Sequence, residues 1–149
     1  MDGIPVYYSN QDFIEYVQEA LKILKEEDSW HYEMVKRHVN KIVELGPNHK
    51  WTNGKSAYNY GTIIGVYFDE IAPKQRNEIP PKRYAGGLVR LATALRIIDG
   101  FKIYRAWDEK WHGYDRMQKL ARKQELACCE KLACEMKYIY GLQRWIRNN

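Results

Sequence analysis

The residues most able to do chemistry here are cations set among aromatic rings. Lys50, Lys55, Lys74, Arg76, Lys82, Arg83, Arg90 and Arg96 interleave with Trp51, Tyr58, Tyr60 and Tyr84. Several such cations are what affinity for phosphates requires, and aromatic faces can stack on bases. Arg83 and Arg90 lie two helical turns apart, so they share a helix face. Lys50, Trp51, Lys55, Lys82, Arg83 and Arg90 are therefore the expected contact residues for an acidic protein or a nucleic acid. No helix-turn-helix, zinc-finger or β-sheet aromatic motif accompanies them.

Hydrolytic metal chemistry is the competing expectation. Magnesium wants several hard oxygens at one point, and Glu70, Asp108 and Asp115 could supply them, as in a metal-dependent nucleotide phosphohydrolase. Helical nucleotide pyrophosphatases need carboxylates at i and i+3 on each of two facing helices, and Asp12, Glu15 and Glu19 lie along one helix without such a partner pair. Neither a His-Asp dipeptide nor His-Glu-x-x-His occurs. His31 and His38 stand two turns apart on one helix, about 10 Å, too far to share a metal. They read as edge residues of an apolar face. Cys128, Cys129 and Cys134 diverge around a helix and cannot meet on one zinc without outside ligands. Cys128 reads as a small core residue. Gly54-Lys55-Ser56 has the tail of a phosphate loop, but His49 stands where the first glycine is needed. No cofactor is expected, and the chain reads as a binding protein rather than an enzyme.

Charge is unevenly distributed along the 149 residues. Residues 1–45 carry 5 Lys/Arg against 9 Asp/Glu, residues 46–107 carry 10 against 4, and residues 108–149 carry 9 against 6. An acidic first third thus precedes a basic remainder, an asymmetry suited to a polyanion or an acidic partner. The same asymmetry would follow if the acidic helices simply packed on the basic part. An odd, clustered set of three cysteines is unlike a secreted disulfide framework. No apolar run approaches the 18–20 or so residues that span a bilayer. Met1-Asp2-Gly3-Ile4-Pro5 lacks the basic and apolar regions of a signal peptide. A cytoplasmic protein with no membrane partner is expected.

The elements that must position these residues are mostly helical. Phe13, Val17, Leu21 and Leu24 form one stripe behind a Ser9-Asn10 cap. Asp28 or Ser29 caps a second helix with Val35, Val39, Ile42 and Val43, stopped at Gly46-Pro47. A third helix is expected over 56–72, with strand as the alternative because its residues are β-branched and aromatic. Tyr84, Leu88, Leu91, Leu95 and Ile98 give the clearest stripe and a fourth helix ending at Asp99-Gly100. Gly86 and Gly87 within it cost helix propensity, and close packing is their expected use. Asp108 caps a last element running nearly to Asn149. About forty helical residues would reach about 60 Å. Such a helix either breaks, with Gly113 and Gly141 as candidate points, or projects an apolar seam that makes a homodimer.

The stretches AYNYGTIIGVYFDEI, RYAGGLVRLATALRI and DEKW resemble small helical proteins of phages and prophages. Thr93 departs from that pattern, where a lysine is usual. The resemblance implies a phage-type accessory protein and supplies no chemistry. The expected fold is all-α, a single-domain bundle of about five helices over residues 1–149 with a long C-terminal helix.

Overall fold

The computed structural model describes residues 4–7, 11–44, 57–60, 63–66, 80–101 and 113–149. Among the described residues, which are mostly helical, five helices pack together. They are α1 (Gln11–Glu27), α2 (Ser29–His38), α3 (Pro81–Phe101), α4 (Tyr114–Lys131) and α5 (Met136–Asn148). The described residues also form four short strands: β1 (Val6–Tyr7), β2 (Lys41–Glu44), β3 (Ala57–Tyr60) and β4 (Ile63–Val66). Their order is β1-β2-β4-β3, with β2 parallel to β1 and β4, and β3 antiparallel to β4.

The stripe of α1 buries Phe13, Val17, Ala20, Leu21 and Leu24 completely. Asp28 closes this helix and opens the next. Its amide donates to the Leu24 carbonyl at 2.9 Å, and its side chain accepts from the His31 amide as the N-cap of α2. Helix α3 is the hub, packed against α1, α2 and α4. Its Ala85, Leu88, Val89, Ala92 and Leu95 join one core with Tyr32, Val35, Ile42, Cys128 and Leu132. Each large apolar side chain fully buried there stabilises the fold by about 1.5–3 kcal/mol.

Three expectations change. The second helix ends at His38, and Ile42 and Val43 instead form β2, in register with Ile64 and Gly65 of β4. The helix expected over 56–72 is replaced by β3 and β4 wherever the segment is described. Tyr58, Tyr60, Ile63, Ile64 and Val66 are strand-forming types, and only Gly61 and Thr62 separate the two strands. The long C-terminal helix is two helices. A break falls at Leu132–Glu135 and none at Gly141, while Gly113 is the N-cap at which α4 begins.

That break is a Schellman motif. The Cys134 amide donates to the Cys129 carbonyl (3.0 Å) and the Ala133 amide to the Glu130 carbonyl (3.3 Å). Ala133 takes the left-handed position with φ 53°, where glycine is usual. The motif folds α5 back, and Ile139 and Leu142 enter the core with Cys128 and Leu132. Of the apolar residues along α4 and α5, Met117, Ala121, Cys128, Leu132, Ile139 and Leu142 are buried within the chain and Met136 is exposed. Among the described residues no helix is long and apolar enough to cross a membrane.

Candidate functional site: an arginine-lined cleft

The Schellman turn sets α5 across the N-terminal half of α3 and the middle of α4. Between the three helices lies a cleft of about 720 Å³, bounded by Arg83, Arg122, Glu135, Lys137, Tyr138, Leu142 and Trp145. Each arginine lies over an aromatic ring of α5. The Arg83 guanidinium carbon is 4.2 Å from the Tyr138 ring centroid, and that of Arg122 is 4.3 Å from the Trp145 centroid. Such stacking holds a guanidinium by its flat face and contributes about 0.5–2 kcal/mol.

Beneath the cleft sits a buried carboxylate, Glu125, 1% exposed. Tyr138 donates its hydroxyl to Glu125 Oε2 at 2.5 Å, and Arg90 Nε lies 4.0 Å from Oε1. Burial, followed by the charge of Glu125, pushes the Tyr138 phenol up, so it stays a donor at neutral pH. Burial and the like charge of Arg90 together push Arg122 down from the usual guanidinium range. A guanidinium still remains charged, so the shift reflects first the burial of Arg122 and only then the nearby charge of Arg90. Arg122 Nε is buried with no hydrogen-bond acceptor among the described residues. Glu125 Oε1 is likewise buried with no hydrogen-bond donor among the described residues.

The expected contact residues divide three ways. Lys50, Trp51 and Lys55 lie outside the described residues. Arg83 forms a wall of the cleft. Arg90 pairs with Glu125, and Lys82 donates to the Ala133 carbonyl at 3.2 Å, tying α3 to the Schellman turn. Of the alternative metal set, Glu70 and Asp108 lie outside the described residues. Asp115 is exposed in the first turn of α4, where a negative charge suits the helix dipole. The sequence reading missed Arg122, Lys137 and Trp145. The available signal was α5 itself, which carries Lys137, Arg144 and Arg147 and no acid.

A second polar cluster lies within the core, away from the cleft. Asp28, His31 and Cys128 are 2%, 3% and 0% exposed, and one donor atom from each lies within 4.8 Å of the others. His31 Nδ1 is 2.5 Å from Asp28 Oδ2, and Nε2 is 2.8 Å from Gln124 Oε1. Lys131 Nζ is 3.3 Å from Asp28 Oδ1. Burial alone would raise the Asp28 carboxyl, but the hydrogen bonds and charge of His31, with Lys131, hold it below the ordinary value. Burial and the adjacent Asp28 push the Cys128 thiol up. His31 is therefore no edge residue. It is a buried group tied to α4.

Comparison with protein-family models, with curated proteins and with solved structures finds no match.

Proposed function

We propose that this chain is a non-enzymatic binding protein whose cleft between α3, α4 and α5 takes an anionic partner, a single strand of nucleic acid. The observation that carries the reading is the pair of stacked arginines, Arg83 on Tyr138 and Arg122 on Trp145, on one cleft. The planar N–H fork of a guanidinium matches the geometry of a phosphate. The apolar walls, Leu142 and Trp145, favour a ligand carrying a flat ring beside its charge. A nucleotide unit has both, whereas an aspartate or glutamate side chain has only the charge. The cationic surface continues along α5 through Arg144 and Arg147, both exposed, so a strand could run on from the cleft.

Fluorescence anisotropy tests the reading with short labelled single strands and, in parallel, an acidic peptide of equal charge. The strand should bind more tightly than the peptide, and Arg122→Gln should weaken the strand. Tighter peptide binding would replace this reading with an acidic protein partner. Binding of neither at low salt would remove the cleft as a binding site.

A further inference from the structure

We propose that Asp28, His31 and Cys128 form a binding site for one divalent transition-metal ion of the zinc class, independent of the arginine cleft. The three side chains supply a carboxylate oxygen, an imidazole nitrogen and a sulfur, the donor types zinc takes. They come from the α1–α2 junction, from α2 and from α4, so their meeting is tertiary and does not follow from helix periodicity. All three are almost completely buried, where charge must be compensated, and at present His31 and Lys131 pair with Asp28. Thiolate and carboxylate together would neutralise a divalent ion.

The surroundings suit a ligand set. Gln124 Oε1, 2.8 Å from His31 Nε2, takes the place of the outer acceptor that orients a metal-bound histidine. That leaves Nδ1 turned toward Asp28. In the present arrangement a proton bridges Nδ1 and Oδ2 across 2.5 Å. Two ligands on one tetrahedral zinc stand about 3.3 Å apart. The cation would therefore displace that proton as the carboxylate withdraws by less than about 1 Å. The thiol proton leaves as well, since a coordinating thiol is deprotonated. Water completes the coordination. Lys131, its side chain 54% exposed, covers the cluster and can swing into solvent to admit the ion.

The test is a cobalt titration of the metal-free full chain under a non-thiol reductant. One equivalent should bind, with a sulfur-to-cobalt charge-transfer band and tetrahedral ligand-field bands that zinc abolishes by displacement. Cys128→Ser should eliminate the charge-transfer band, and Cys129→Ala should keep it. Gln124→Leu should weaken affinity about 10–100-fold. Lys131→Met should tighten binding, because it removes a cation that competes for Asp28. Absence of the band in natively folded chain, or its survival in Cys128→Ser, would overturn the proposal. Should Cys128→Ser fail to fold, Asp28→Asn replaces it. A loss of affinity of at least about 10-fold there supports the site, and unchanged affinity overturns it.

Discussion

Gly86 of α3 lies so close to Cys129 of α4 that a Cβ built on it would stand 2.6 Å from the Cys129 sulfur. Its neighbour Gly87 faces open space, with nothing within 4 Å. Adjacent glycines in one helix should therefore respond to alanine with opposite signs. Gly86→Ala should cost about 1–3 kcal/mol through overpacking, and Gly87→Ala should be neutral or stabilise by up to about 1 kcal/mol. Urea unfolding of the two variants measures both. Adding Cys129→Ala should recover part of the Gly86→Ala loss, because it removes the atom that is struck.

Ala133 holds the left-handed position of the Schellman turn with φ 53°. A residue with a Cβ is strained there by about 1–2 kcal/mol. Ala133 is exposed, so Ala133→Gly relieves the strain and opens no cavity. After the entropic cost of glycine, a gain of about 0.5–1 kcal/mol in unfolding free energy is expected. A loss would mean that the turn is not held by its backbone geometry.

The Asp28 carboxyl titrates below its ordinary 3.8 in the folded chain. His31, Lys131 and Cys128 are the titratable groups that face it. A depressed folded pKa means the unfolded chain takes up the proton first as pH falls. The contribution is complete above 3.8 and is lost as pH drops through the lower folded value. Asp28→Asn keeps a cap-forming side chain but removes the charge. It should lose on the order of 3 kcal/mol at neutral pH, and the gap to the parent should close in acid. A gap unchanged from pH 7 to pH 3 would contradict the assignment.

What could be read from the sequence tracks the range of the interactions involved. The stripes of α1 and α3 and the Asp28 cap depend on residues within a few turns, and each is present as expected. Residues 57–66 carried both signals, since Ile63, Ile64 and Tyr60 suit a strand as well as a buried helix. Pairing with β2, remote in sequence, decided between them. The break at Leu132–Glu135 was hidden because Ala133 does the work that glycine usually marks. The cleft was half visible. Arg83 was singled out, while Arg122, Lys137 and Trp145 stood on an element read only for its apolar seam and became a site only when α5 folded back. His31 and Cys128 were weighed as metal ligands on their own helices and rejected on spacing, an argument that is silent on their meeting across α2 and α4.

The central claim is that the stacked arginines of the cleft engage phosphates. The most direct measurement is the salt dependence of single-strand binding for the parent chain and for the double variant Arg83→Gln, Arg122→Gln. Each phosphate contact contributes about −0.7 to the slope of log affinity against log salt on single strands. The account predicts a steep slope for the parent and one shallower by about 1.4 for the double variant, with folding preserved. An identical slope in the two proteins would place phosphate binding elsewhere and contradict the account.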